Sequence, residues 1–510
     1  MSTDQRERWG LPLTVLVSGM FMSVLDTSIV NVAVPTIETT FGATTDEVAW
    51  IVTAYALALG VVVPLSAWLA ARFGPSRVYT AALLLFGAAS ALCGLAWNLD
   101  SLIAFRVIQA VPGGILPPLS MAILYRIVPP QKIGRAMGMY GLGIIVAPAI
   151  GPTLGGYLVE YVDWRLIFFI NVPVGLAATF AALAILPKFP PDGRTKFDVV
   201  GFIAIASGFF SLLLALSEGE SWGWTALPTV ALLCYAAIAL AIFAVWELET
   251  DQPLLDLRVF RYWEYTNSLL IISVLSIGMF TVLFYVPVFL QTAQGLGAFK
   301  AGFVLLPQAL IMAVTMPVAG RIYDRFGPRW PALIGLAICT YGSFLLHGLA
   351  VDTSRTEVAL LLMLRASGMG LAMMPIMTGG LAAVPPAIVP SGSAFNNVVQ
   401  RVSASLGLAI LGAVLTTNSA QFLADRSALL GDDREIPSLG SGPQGHMYGL
   451  YLTYRHTANQ VFVDSVDNLM ILTTFVTAIG FVLALFLRTG AKDHSAAESS
   501  HGPPAHAAID

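Results

Sequence analysis

The chain has 510 residues, is 57% hydrophobic and only 11% charged, and its 26 basic against 30 acidic residues leave a net charge of −4. An ordinary soluble domain carries roughly 25% charged residues. The composition therefore excludes a soluble globular protein and makes this an integral membrane protein, with the lipid bilayer as partner and no nucleic-acid partner expected.

Crossing a hydrocarbon core of roughly 30 Å takes about 20 apolar helical residues. Such runs recur about fourteen times, at 11–35, 48–70, 78–98, 101–124, 134–158, 166–186, 198–216, 226–248, 267–291, 300–320, 329–350, 357–379, 396–418 and 467–488. The first is too long, and too closely followed by the second, for a cleaved signal, despite Arg6 and Arg8 ahead of it. It carries Asp26 near its middle, in GMFMSVLDTSIVNVAVP. An ionised carboxylate at a helix centre costs about 2.5–3.5 kcal/mol on insertion scales, so Asp26 is expected to face a protein interior or a water-filled cavity. Loss of water favours its neutral form, which lets it hold and release a proton. The alternative is a structural aspartate bonded to a neighbouring helix. Ser23, Thr27 and Asn31 extend a polar strip along the same helix.

Near the second span, Trp50 and Tyr55 are interfacial anchors or, for Tyr55, part of a substrate cavity. The fourth span contains RVIQAVPGGILPP, in which Arg106 precedes Gln109, Gly113 and Pro117. A guanidinium inside a bundle needs a carboxylate, carbonyls or water, and Asp26 is the candidate partner. The fifth span places Gly143, Ala147, Gly151 and Gly155 four apart, with Pro148, Pro152 and Gly156. This small-residue stripe admits another backbone closely, the prolines permit bending, and a hinge or seal between halves is its functional reading. The twelfth span carries Met363, Met369, Met373, Met374 and Met377, suited either to an ordinary core or to an adaptable pocket with Met373 in its wall.

Cys93, Cys234 and Cys339 fall inside spans and are odd in number, so neither a disulfide framework nor a metal cluster is suggested. The absence of an N-x-[ST] sequon favours a bacterial membrane. With the N-terminus inside, loops bearing Arg72, Arg77, Arg126, Lys132, Arg135, Lys188, Arg194, Lys196, Arg258, Arg261, Arg321, Arg325 and Arg329 fall on the cytoplasmic side, so both termini are expected there.

AARFGP (Ala70 to Pro75) is echoed by YDRFGP (Tyr323 to Pro328), and Arg106 early in the fourth span by Arg365 early in the twelfth. Both pairs relate the halves by eight spans, where a six-helix repeat would give six. Two helices over 198–248 are therefore inserted between parallel repeats. The expected organisation is a six-helix half over 1–190, the inserted pair within 191–262, and a second half over 263–488. That half carries a long external loop at 419–466, and a disordered polar tail covers 489–510.

LDTSIVNVAVP, WIVTAYALA, FRVIQAVPGG and APAIGPTLGGYLVEYVDWRLIFFINVPVG, in that order, closely resemble the signatures of the major facilitator superfamily, more narrowly its fourteen-span drug:proton antiporters of the EmrB/QacA type. The resemblance is strongest over about 20–180. It implies that Asp26 is the proton-coupling carboxylate, Arg106 the family's intramembrane arginine, and Gly151, Pro152, Gly155 and Gly156 the antiporter motif. Arg72 and Gly74, with Gly320, Asp324 and Arg325, would form the cytoplasmic gate. The chain departs from the pattern at Ala67 and Ala71, where the family has Gly and an acid, and at Ala110 after Gln109. Gating is then expected to rest on Asp324 and Arg325.

No G-x-x-x-x-G-K-[ST] occurs, so the energy source is expected to be a proton gradient, with no cofactor. The expected protein is a monomeric antiporter that exports hydrophobic, often cationic compounds by alternating access, with Thr27, Asn31, Tyr55, Gln109 and Met373 as cavity candidates. Export of a specific metabolite, peptide, siderophore or lipid is the alternative. A hydrolase is the distant one: Gly219 to Gly223 reads GESWG, matching G-x-S-x-G at Ser221, with His446 and His456 expected on the same face. The strand–turn–helix context of a nucleophile elbow is missing there.

Overall fold

A computed structural model describes residues 9–191, 196–429 and 443–487. Among these, fourteen helices are long and apolar enough to cross a membrane. The first, α1 (Gly10–Phe41), ends at Gly42, whose φ of 63° is the left-handed turn that a Cβ disfavours. Thr44 then caps α2 (Thr45–Val62) reciprocally with Glu47, the Thr44 N–H donating to the carboxylate at 2.8 Å. The second span is not one straight helix over 48–70. Pro64 has no N–H to continue the ladder, and the chain resumes as α3 (Leu65–Phe73).

The first half continues through α4 (Pro75–Gly94), α5 (Leu99–Ile127) and α6 (Ile133–Tyr161), and its sixth span is built from α7 (Leu166–Phe169) and α8 (Asn171–Ile185). The inserted pair, α9 (Val199–Trp222) and α10 (Leu227–Glu249), packs chiefly on itself, with α9 touching α2. The second half comprises α11 (Trp263–Thr292), α12 (Ala298–Phe326), α13 (Arg329–Leu345), α14 (Arg355–Ala382), α15 (Val389–Leu429) and α16 (Pro443–Ala484).

Of the expected loop at 419–466, the described residues 419–429 and 443–466 are helix. Polar residues such as Ser419, Gln421, Asn459 and Gln460 end the apolar window without ending the helix, because none of them breaks the hydrogen-bond ladder. At 1.5 Å per residue, α15 and α16 reach roughly 60 Å each, twice the hydrocarbon thickness.

The repeat is visible in the packing. Arg365 on α14 donates through Nε to Ser343 Oγ on α13 (3.0 Å) and through a terminal nitrogen to the Gly278 carbonyl on α11 (2.6 Å). These are the second-half counterparts of the helices that carry Arg106, Ser90 and Asp26. A backbone carbonyl thus stands where the first half has a carboxylate.

Candidate proton-coupling site

Asp26 is fully buried and forms an ion pair with Arg106, whose side chain is 1% exposed. Three helices complete its shell. Gln109 Nε2, one turn after Arg106 on α5, donates to Asp26 Oδ1 at 2.9 Å, and Asn171 Nδ2, at the start of α8, donates to the same oxygen at 3.0 Å. Asn171 also donates to Ser90 Oγ on α4 (3.1 Å), and Ser90 in turn donates to the Phe168 carbonyl (2.9 Å). Arg106 gives a second bond to Gln109 Oε1 at 2.8 Å and lies 3.6 Å above the Tyr55 ring. Tyr55 Oη approaches Thr27 without forming a full hydrogen bond.

An Asp–Arg pair this deep compensates two desolvation costs, and removing one partner of such a pair typically costs about 3–5 kcal/mol. Its carboxylate is held by donors on both oxygens, so a proton arriving there must displace Arg106 or the two amides. With Arg106 beside it and no exposure, Asp26 offers no free charge to a cation. The expected cation preference therefore finds no support at this residue.

The polar strip of α1 divides by angle. Ser23 Oγ reaches across to the Gly113 carbonyl (3.1 Å), Thr27 bonds back to the Ser23 carbonyl (3.2 Å), and Asn31 is exposed and outside the network. Met373 is sealed in the main core cluster with Met369, Met374 and Met377 rather than lining open space.

The two halves meet at the end that carries the basic loops. Asp324 at the end of α12 accepts from the first backbone N–H groups of α6, Gly134 at 2.7 Å and Arg135 at 2.9 Å. A carboxylate at a helix N-terminus meets unsatisfied donors and the positive end of the helix dipole. The approach requires glycine on both sides: a Cβ on Gly320 would overlap the Gly134 carbonyl, and one on Gly134 would stand 2.5 Å from the Gly320 carbonyl. Arg325 instead lies 5.2 Å over Phe326, so Asp324 makes this contact without it. Tyr125 Oη donating to the Thr378 carbonyl (2.9 Å) and Ser393 Oγ to the Pro118 carbonyl (2.9 Å) complete the seal. Gly74, with φ 87°, passes against the Phe189 carbonyl within the first half.

The glycine motif of α6 serves a different contact from the expected seal. Gly151 packs on Ser28 and Gly155 on Ile29, both on α1 within the same half, while Pro152 is exposed and Gly156 meets Val32 of α1 at ordinary contact distance. The glycines that cross between halves are Gly134, Gly138 and Gly141, which face Gly320, Met316 and Met374. A helix of this length reaches two neighbours in succession, and the sequence stripe does not say which.

The model of the Major Facilitator Superfamily matches residues 16–408. The chain belongs to this superfamily. It is 33% identical over 496 residues to the MFS-type transporter YhcA of Bacillus subtilis, covering 94% of this chain and 93% of that one. It is 34% identical over 409 residues to the multidrug resistance protein B homolog of Mycobacterium tuberculosis, covering 79% and 75%. The solved proton:xylose symporter XylE has the same fold, with a TM-score of 0.60 at 12% identity over 95% of this chain and 97% of that one.

As a major facilitator, the chain is a multi-pass membrane transporter of small molecules rather than an enzyme. Ser221 agrees: it closes helix α9, outside any strand–turn–helix, and bonds to the Glu218 carbonyl (2.9 Å) and carboxylate (3.1 Å). The side chains of His446 and His456 lie outside the described residues. Sequence reasoning missed Asn171 and Ser90, although Asn171 stands out as a lone amide in the apolar run FFINVPVG. It also missed Arg401, a charge within a spanning helix.

Proposed function

We propose that the chain is a proton-coupled exporter of hydrophobic small molecules in a bacterial cell membrane, working as an antiporter with its basic-loop end and termini on the cytoplasmic side. Asp26 carries the proton, Arg106 answers its charge state, and the Asp324 contact closes the cytoplasmic end. The observation that carries this reading is the buried carboxylate bound by Arg106, Gln109 and Asn171, one turn from the glycines that pack α6 on α1. The resistance named for a relative supports export.

Protonation of Asp26 removes the charge that balances Arg106. The guanidinium keeps Gln109 and the face of Tyr55 but loses its ion pair, so α1, α5 and α8 are no longer held around one anion. That change is what biases the halves between two arrangements. The test is proton release on adding ethidium and neutral hydrophobic dyes to vesicles containing the full chain, native or Asp26→Asn. Release by the native protein and its loss in Asp26→Asn is the expected result. Undiminished substrate-dependent proton movement in the variant would make Asp26 structural.

A further inference from the structure

Polar groups that the Asp26 network does not use gather on α15. Arg401 is a cation inside a membrane-spanning helix, and among the described residues it has no carboxylate within ion-pair distance and donates no hydrogen bond. Its side chain is half-buried. Asn396, five residues before it, is 1% exposed, and neither its Oδ1 nor its Nδ2 has a partner; Gln400 Nε2 is likewise unpartnered. Asn396 and Gln400 share a helix face, being four residues apart.

Register places this cluster opposite the proton site. Ser393 on α15 meets Pro118 on α5, and the two helices run in opposite directions from there. Eight residues further along α15, roughly 12 Å, Arg401 stands level with Ala110, which packs with Tyr55. Tyr55 lies under Arg106, and its own buried hydroxyl is unpartnered. A charge and several buried polar groups without partners are costly in a membrane interior unless something brought there satisfies them.

We infer that Asn396, Gln400, Arg401 and Tyr55 form the cargo's recognition site, and that the cargo is an amphipathic molecule presenting an acceptor-only oxygen group of the carboxylate class rather than a cation. The unmet atoms are mostly donors. Guanidinium, amide and phenol groups match a carboxylate's lone pairs, and a guanidinium engages one through two parallel bonds. A cationic head would meet Arg401 as a like charge. The inference rests on the transporter reading but not on the role of Asp26.

The test uses the full chain in nanodiscs with a dansyl-tagged undecanoic acid and its neutral carboxamide, read by energy transfer from tryptophan. The native protein is expected to bind the acid at least tenfold more tightly than the carboxamide. Arg401→Gln should reduce that preference below about twofold while leaving carboxamide binding in place, and Arg401→Lys should keep part of it. If Arg401→Gln loses both probes, Arg401→Met serves as the neutral variant, apolar and of similar length. Equal binding of acid and carboxamide by the native chain, or a preference untouched in the neutral variant, overturns the inference. Proton release driven by the neutral hydrophobic dyes and lost in Asp26→Asn tests the coupling reading separately, so either can fail while the other stands.

Discussion

The contact between Asp324 and the start of α6 should set how often the basic-loop end opens. Asp324 accepts two backbone N–H bonds at 2.7 and 2.9 Å, and hydrogen bonds to a charged group contribute about 1.5–3 kcal/mol each. Asparagine keeps one acceptor oxygen but loses the second bond and the attraction to the helix dipole, so Asp324→Asn should cost about 2 kcal/mol, roughly thirtyfold in the open-to-closed ratio. Thr378, 1% exposed beside Tyr125, reports on this seal. In a Cys234→Ser background, with Cys93 and Cys339 buried, the labelling rate of Thr378→Cys by an impermeant maleimide should rise by about that factor. Gly320→Ala should act alike by a separate route, since its Cβ meets a backbone carbonyl that cannot turn away. Labelling unchanged in both variants would show that the halves part without breaking this contact.

Gly151→Ala drives a Cβ into Ser28 and should lower both transport and melting temperature, at an overpacking cost of about 1–3 kcal/mol; adding Ser28→Ala should recover part of each, and no recovery would place the fault elsewhere. Asn171→Ala removes a 3.0 Å donor to Asp26, so substrate-dependent proton movement should fall by about fivefold; unchanged movement would remove Asn171 from the coupling group.

The membrane-spanning architecture was legible because hydropathy and helix length are one-dimensional properties. Fourteen spans followed from them, the repeat and the inserted pair from the echoes of AARFGP in YDRFGP and of Arg106 in Arg365, and the Asp26–Arg106 partnership from the need of each buried charge for the other. What was hidden depended on where a helix points. Asn171 and Ser90 belong to helices whose faces carry no period that singles them out, and the glycines of α6 fall into two groups only because α6 leaves α12 and turns to α1. The extent of α15 and α16 was missed for a different reason: polarity ends an apolar window but not a helix.

Arg106 on the Tyr55 ring and Arg401 on the facing helix constrain how cargo and proton can be coupled. With Asp26 ionised, Arg106 and Arg401 leave one net positive charge around Tyr55; protonation makes it two. Charge alone would then let a proton and a carboxylate bind together, and since coupling is reciprocal each would favour the other, which is symport. Exchange requires a larger effect of opposite sign, and a movement of the Tyr55 ring on protonation would supply one. An Arg106 released from Asp26 retains the Tyr55 face, and any shift of that ring towards α15 takes the space and the hydroxyl that cargo would use. Proton release from native vesicles on adding the undecanoic acid would mean that this steric effect exceeds the charge effect. Proton uptake on the same addition would mean that charge wins, and the same residues would then describe a co-transporter.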